Sequence, residues 1–447
     1  MTGVQTCALP ILMAPLPISI ATCCNCVMRA IRERMSLIGI LIFSAILRLW
    51  NLGSPKGFVF DEVYYVDGAR DYLKYFVEMD KSKAEFIVHP PIGKWLIALG
   101  IKVFGDHEFG WRITAAAAGV ISVYLIYRVA RTLFSSEFLA LSAALLTSLD
   151  GLHLVMSRTA LLDIFLMFFI LLAFNFLLEK RYWFLGFSLG LACATKWNGL
   201  YYAIAFIGVA IARDIVENRN ISDNKISNLK LFMQRILQFI VLPSAIYIGS
   251  WVGWFFTKTG WDRNWSKNSL LSLWHYHMEI LNFHTGLTEA HSYSANPWTW
   301  LILGRPTSFF YNAPHCSADT CSQEILALGT PFIWWSATIG LGVLIGYVVS
   351  RRDKRGALIL LGVAAGYLPW FAFQQRTVFS FYSIVFEPFI ILVLTYLIGL
   401  LQQRYKSLIY GYFIAVALCF LYFLPIYIAQ TITYGEWHAR MWFSSWI

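Results

Sequence analysis

Apolar runs, each close to the length needed to cross a bilayer, alternate with short polar stretches along nearly the whole chain. Read at 36–52, 110–130, 137–153, 160–178, 182–197, 199–213, 236–256, 331–350, 357–373, 383–402 and 407–428, they predict about eleven transmembrane helices. The apolar piece Ile92–Phe104 lies between Pro90-Pro91 and Gly105 and is too short to span, so it reads as an interfacial helix in an outer loop. The pattern therefore predicts an all-α polytopic membrane protein.

Composition agrees. Hydrophobic residues make up 58% of the 447 and charged residues 13%, and the mean hydropathy is +0.60. A soluble chain of this length has no way to bury so much apolar surface. The net charge of +10 raises the question of nucleic acid. The basic residues, however, sit in short clusters between apolar runs, which is the signature of cytoplasmic loops and not of a nucleic-acid-binding stripe.

Those clusters orient the chain. Arg29, Arg32 and Arg34 precede the first run, and Arg128 and Arg131 end the second. Lys180-Arg181, the Arg213–Arg235 loop, Arg351 to Arg355, and Arg404 with Lys406 follow the fourth, sixth, eighth and tenth. All fall on one side, which predicts a cytoplasmic N-terminus and an extracytoplasmic C-terminus in a plasma membrane. Left on the outer side are Arg48, Asp61, Glu62, His89, Arg112, Asp150, Arg158, Asp163, Lys196 and Arg376. A secondary transporter would place its polar groups near the bilayer midplane, on broken helices in repeated halves. Polar groups crowded at one face favour a catalytic cavity open to the outside, reached laterally by a lipid-borne substrate.

The adjacent carboxylates Asp61-Glu62 stand out, because acidic groups at a membrane surface commonly serve ion, proton or substrate chemistry, although a solvated loop pair is the plain alternative. The large outer loop, 257–330, carries five of the nine histidines: His275, His277, His284, His291 and His315. The His275-Tyr276-His277 spacing does not match the helical zinc pattern, so no metal site is expected. Cys316 and Cys321, with four residues between them, are candidates for a small disulfide on an oxidising face. Residues 1–35, where Thr2-Gly-Val-Gln-Thr-Cys-Ala-Leu-Pro-Ile resembles translated sequencing adapter, are expected to be foreign or disordered and without function. The rest divides into a catalytic transmembrane module, 36–256, with its first outer loop at 53–109, then the large loop, then a C-terminal transmembrane module, 331–447, with an outer tail.

Taken in order, Phe60-Asp-Glu-Val-Tyr-Tyr, His89-Pro-Pro-Ile-Gly-Lys, Ser157-Arg-Thr-Ala-Leu-Leu-Asp163, Thr195-Lys-Trp-Asn-Gly199, Asn296-Pro-Trp-Thr-Trp300 and Arg440-Met-Trp-Phe-Ser-Ser-Trp446 resemble the protein O-mannosyltransferases, over nearly the whole chain after about residue 36. The likeness is to the actinobacterial-type branch, since the large loop is too short for the β-trefoil module of eukaryotic members. The resemblance implies a C-type glycosyltransferase fold and inverting transfer of mannose from polyprenyl-phosphate mannose, the donor substrate, to Ser/Thr hydroxyls of exported polypeptides, with no cofactor. The secretion machinery is a conceivable partner; nucleic acid is not.

The resemblance puts Asp61 in the place of the catalytic base, with Glu62 beside it to position the acceptor or orient the loop. A phosphate leaving group calls for fixed cations. Lys196 is the first candidate, then Arg112 and Arg376, since arginine can grip phosphate bidentately. Arg48 is read as an interfacial snorkelling residue. His89 and Trp197 are substrate-contact candidates, and Asp150-Gly151 reads as a helix terminus with a possible sugar contact. Arg158 and Asp163 read first as an ion pair fixing helix ends, with substrate contact as the alternative. The rival functions are a related transferase acting on lipid or cell-wall glycan and, from another class, a secondary transporter.

Overall fold

The computed structural model describes residues 20–79, 88–218, 225–316 and 320–447, with side chains in the first helix from residue 33. The chain is already helical at Ile20, so α1 (Ile20–Leu49) takes in part of the segment expected to be foreign; residues 1–19 lie outside the described residues. The first outer loop holds α2 (Glu62–Tyr75) and α3 (Ile92–Phe104), and α3 has the bounds its apolar pattern predicts. The helices α4 (Glu108–Phe134), α5 (Glu137–Ser148), α6 (Gly151–Met156), α7 (Leu162–Leu178), α8 (Tyr182–Cys193) and α9 (Gly199–Asn218) follow. Next come α10 (Lys225–Ile236), a π-helical turn at Leu237–Val241, α11 (Leu242–Ser250) and α12 (Val252–Phe256).

The large loop contains α13 (Ser269–Gly286) and the strands β1 (Thr307–Asn312) and β2 (Cys321–Ala327), which pair antiparallel with Thr307 opposite Ala327. A Cys316–Cys321 disulfide spans the connection between them. After α14 (Pro331–Arg351), α15 (Lys354–Tyr367), α16 (Glu387–Leu401) and α17 (Lys406–Tyr427), the short β3 (Ile432–Thr433) adds to β2, and α18 (Tyr434–Arg440) closes the chain. The all-α expectation is corrected accordingly: the fold is mostly helical but carries a three-stranded sheet, in order β1-β2-β3.

The count of about eleven spans is also corrected. Among the described residues, six helices are long and apolar enough to cross a membrane: Glu108–Phe134, Gly199–Glu217, Leu229–Ser250, Pro331–Arg351, Lys354–Phe373 and Lys406–Tyr427. Four other apolar segments, α5, α7, α8 and α16, are helices of 12, 17, 12 and 15 residues. At about 1.5 Å per residue, none reaches the roughly 30 Å of a hydrocarbon core. Hydropathy cannot separate a helix that faces lipid from one that faces protein. In α7, 13 of 17 residues are buried, and in α16, 11 of 15; an all-round apolar helix of this kind belongs to a core. The opposite case is Leu229–Ser250, where 11% of the apolar window is buried in the protein. The 137–153 reading had joined two helices that break at Leu149-Asp150, where Asp150 caps α6 by accepting from the His153 N–H.

Helix α8 packs on α11 through small residues. A Cβ on Gly186 would lie 1.9 Å from the Gln238 carbonyl oxygen, in the π-helical turn, and one on Gly190 would lie 2.9 Å from the Pro243 Cα. The four-residue spacing puts both glycines on one face, the arrangement that lets membrane helices approach closely. Gly186→Val is therefore expected to push the π-helical turn that leads into α11 away and cost about 1–3 kcal/mol, as overpacking does. Thermal unfolding of the purified protein in detergent checks this; an unchanged melting temperature would contradict the close approach.

Candidate functional site

The two adjacent carboxylates point in opposite directions. Phe60 takes a left-handed backbone (φ 50°), costly for a bulky residue. Its ring stacks on Phe309 at 4.7 Å and meets Phe379 and Phe381 edge-on, so an aromatic cluster holds the turn. Asp61 follows as the N-cap of α2, yet its side chain makes no capping bond; it lines a cavity of about 1200 Å³.

Glu62, with no solvent exposure, turns into the protein. It accepts from Arg112 Nε and Nη2, both at 2.7 Å, and from the backbone N–H groups of Val59 and Ala160. Arg112 gives its remaining hydrogens to the carbonyls of Leu52, Pro55 and Gly57. Of the two roles expected for Glu62, orienting the loop fits this geometry and touching the acceptor does not. Arg112, 1% exposed with its donors engaged, lies away from the cavity that the phosphate role would need.

The cavity gathers Asp61, His89, Lys196, Trp197 and Arg376 at one end. The sequence motifs meet there because they pack on one another. The Ile92 N–H donates to the Ala194 carbonyl, and a Cβ on Gly93 would lie 2.6 Å from Leu162 and 3.2 Å from Thr195. Lys196 Nζ holds both Asp163 oxygens, at 2.9 and 3.0 Å, and sits 4.6 Å from the Tyr382 ring centre. The expected Arg158–Asp163 pair is thus replaced. Asp163 pairs with Lys196, while Arg158 donates to the carbonyls of Leu47, Arg48, Trp50 and Asn51, closing the end of α1.

Arg376 has no carboxylate partner among the described residues. Its Nη2 donates to His284 Nδ1 at 3.1 Å, its guanidinium lies 5.8 Å from the Trp370 ring, and its buried Nε has no partner among the described residues. His89 Nδ1 is likewise buried and without a partner there. Burial, reinforced by Lys196, holds the His89 imidazole well below its usual pKa and hence neutral. Burial also pushes the Asp61 carboxyl up to about 7, against the pull of Lys196 and with help from Asp163. A carboxylate that titrates near neutrality and faces an open cavity is suited to taking a proton.

The other limb of the cavity is apolar. Leu200, Ile204, Ile207 and Ile211 form one face of α9 opposite Ile240 and Ile248. From Leu200 to Ile211 it runs about 16 Å, at 1.5 Å per helical residue.

Several cavity residues escaped the sequence reading as site residues: His277 and His284 from α13, His291, and Tyr382. Their signal was present as a histidine-rich loop, but nothing in the spacing says which rings face inward. His277 and His284 stand seven residues apart, two helical turns, and so share a face. His275 instead bonds Asp262 at 2.6 Å and stacks on Trp265. No group of three metal-ligating side chains suited to an ion occurs among the described residues.

Two outer residues read from the sequence are interior. Arg48, 0% exposed, donates to Ser44 and His153 Nδ1 in place of snorkelling. Asp150, also 0% exposed, accepts from Thr330 N and Trp334 Nε1, which leaves no place for sugar contact. The Asn296–Trp300 and Arg440–Trp446 motifs are scaffolding. Trp300 Nε1 donates to the Ala295 carbonyl, Trp446 Nε1 to Leu303, and Arg305 to Ser292 and Ser445.

Comparison with known proteins places this architecture. Residues 38–259 match the family described as dolichyl-phosphate-mannose-protein mannosyltransferase, and residues 269–446 match the C-terminal four-transmembrane region of protein O-mannosyltransferase. A polyprenol-phosphate-mannose–protein mannosyltransferase of Mycolicibacterium smegmatis is 32% identical over 91% of this chain and 92% of its own length. One of Corynebacterium glutamicum is 31% identical with the same coverage. Among solved structures, the Saccharomyces cerevisiae protein O-mannosyltransferase Pmt1–Pmt2 complex bound to the sugar donor shares the fold, with TM-score 0.79 over 93% of both chains at 16% identity. ArnT from Cupriavidus metallidurans gives TM-score 0.52 over 95% of this chain and 72% of its own, also at 16% identity.

Glu62→Ala strands the Arg112 guanidinium in the interior. Breaking a buried ion pair from one side costs about 3–5 kcal/mol. The expected outcome is a lowered melting temperature and a poor yield of folded protein, with Glu62→Gln milder. A Glu62→Ala protein as stable as the parent would show that the pair does not hold this loop.

Proposed function

The chain belongs to the dolichyl-phosphate-mannose–protein mannosyltransferase family, and from that premise and the geometry of the cavity we propose how it works as a polyprenol-phosphate-mannose–protein mannosyltransferase. It is a multi-pass membrane protein that performs protein O-mannosylation. The observation that carries the detailed reading is the junction of a cation with no carboxylate partner among the described residues, Arg376, and a carboxylate titrating near neutrality, Asp61, with an apolar limb of lipid-tail dimensions in one cavity.

In this reading the polyprenyl chain lies along the α9 face, with its phosphate at the polar end. Arg376 carries most of the phosphate recognition, since its charge is not already matched. Lys196, shared with Asp163, contributes less. A Ser or Thr hydroxyl of the acceptor approaches Asp61 and attacks the mannose C1 as its proton passes to the carboxylate. The new C1–O bond forms as the C1–O–phosphate bond breaks, and the electron pair leaves with the lipid phosphate. Attack opposite the leaving group inverts the anomeric centre. No acid is needed to protonate the leaving group, because phosphate departs readily as an anion, and the guanidinium stabilises the charge it gains.

The basic loops support a cytoplasmic N-terminus and an extracytoplasmic C-terminus, with the cavity at the outer face, where lipid-phosphate sugar and exported polypeptide would meet.

Asp61→Asn is expected to lower transfer from polyprenyl-phosphate mannose to a Ser/Thr peptide by roughly 10²–10⁴ with donor binding retained. A deprotonated base is required, so kcat/KM of the parent should fall as pH drops through about 7 and level off above it. Near-parental turnover of the Asn protein, or a profile flat down to pH 5, would remove Asp61 from this role.

Arg376→Ala is expected to reduce kcat/KM for the donor far more than the peptide KM, and more than Lys196→Ala does. Initial rates with each substrate varied in turn decide this. A defect confined to the peptide KM would remove Arg376 from the phosphate.

A further inference from the structure

His284 joins three separate parts of the chain. It stands near the end of α13, in the large outer loop. Its Nε2 lies 3.0 Å from the Val88 carbonyl, next to His89 in the first outer loop, and its Nδ1 lies 3.1 Å from Arg376 Nη2. These partners fix its proton. A carbonyl oxygen can only accept, so Nε2 carries the hydrogen; a guanidinium can only donate, so Nδ1 presents a lone pair. Only the neutral ring satisfies both. Burial and the Arg376 charge beside it hold the imidazole down to about 4, so this state persists through the physiological range.

We propose that His284 is a positioning residue for the donor phosphate, and that it acts by aiming the Arg376 guanidinium into the cavity. The proposal rests on the assignment of Arg376 to the phosphate. Arginine has a long, flexible side chain, and in this site no carboxylate among the described residues fixes it. A neutral acceptor can hold the fork in place without cancelling its charge, which a carboxylate would do. Lys196 shows the contrast: Asp163 fixes it and offsets its charge. With Nη2 on His284, the guanidinium is held where Arg376 lines the cavity, with its charge available to an anion there.

The backbone around Arg376 does not depend on this contact. The Thr377 N–H donates to the Leu287 carbonyl, the Thr377 hydroxyl donates to the Glu289 carbonyl, and the Arg376 N–H donates to Phe373. Replacing His284 therefore leaves the segment docked; it releases the guanidinium and, on the other side of the ring, the Val88 carbonyl.

A double-substitution cycle on the full chain in detergent tests this, with synthetic polyprenyl-phosphate mannose and a Ser/Thr peptide as substrates. His284→Phe is expected to reduce donor kcat/KM by about tenfold to a hundredfold, the scale of a hydrogen bond to a charged group, with the peptide KM unchanged. His284→Asn, which keeps an acceptor near the Nδ1 position, should recover much of the loss. In an Arg376→Ala background, His284→Phe should change donor kcat/KM by less than about twofold, since groups acting through one another are not additive.

Full additivity, with Arg376→Ala still impairing donor use, overturns the His284 proposal alone. Arg376→Ala without effect on the donor overturns the phosphate assignment beneath it. A His284→Phe loss confined to the peptide KM, or a lowered melting temperature in both His284 variants with no recovery by Asn, also overturns it.

Discussion

Arg112 and Glu62 set the direction of the chain at the polar end of the cavity. Arg112 reaches from the start of α4 into the first outer loop and ties down three carbonyls and a carboxylate there. Glu62 completes the tie with two backbone N–H groups, one from its own turn and one from Ala160 beside α7. Because Glu62 opens α2, fixing it fixes the helix N-terminus, and Asp61 one residue earlier has to face the other way. A buried ion pair contributes little net stability against a well-packed apolar alternative. Its value here is directional: it selects one orientation for a loop that its backbone does not dictate.

The cavity then uses low polarity in two opposed ways. Burial raises the Asp61 carboxyl toward neutrality, which suits it to the base role proposed for it. The same surroundings would suppress any cation left alone, so each is supported differently. Lys196 has a carboxylate and a tyrosine ring, while Arg376 has a neutral imidazole and a tryptophan ring. The difference separates a cation whose field is locally matched from one whose field is available to an incoming anion.

Much of this could be read from the sequence, for identifiable reasons. Hydropathy located the apolar segments, and α3 was bounded by its flanking Pro90-Pro91 and Gly105. The Asp61, His89, Lys196, Trp197 and Arg376 positions do line one cavity, because residues left on one side of a charge-oriented chain are brought to one end. What the sequence could not carry was partnership. Arg112 and Arg376 look alike on paper, and only the fold shows one with its donors engaged by a carboxylate and carbonyls and the other lining the cavity on a neutral histidine. Asp163 sits five residues from Arg158, but its partner is Lys196, 33 residues on. Of the sheet, β3 was missed because it has two residues and lies more than a hundred residues after β2, while β1 and β2 fall within the stretch read as one long loop.

The miscounted helices and the active cavity have a common origin. A helix that must cross lipid keeps going until it reaches water; one enclosed by other helices can stop early. Helix α7, enclosed over most of its 17 residues, is of that kind; α8, with 12 residues or about 18 Å at 1.5 Å per residue, buries one face and leaves Trp183, Phe184 and Phe187 exposed on the other. Asp163 lies in the first turn of α7 and Lys196 just past the end of α8, so a charge pair lands inside the protein, 1% and 6% exposed, instead of at its rim. Longer helices would carry those groups out to solvent, where screening and hydration weaken their electrostatic interactions. Shortness at these positions, which makes α7 and α8 poor membrane spans, is therefore what brings polar groups inside the protein, at the end of a cavity whose other limb is the apolar face of α9.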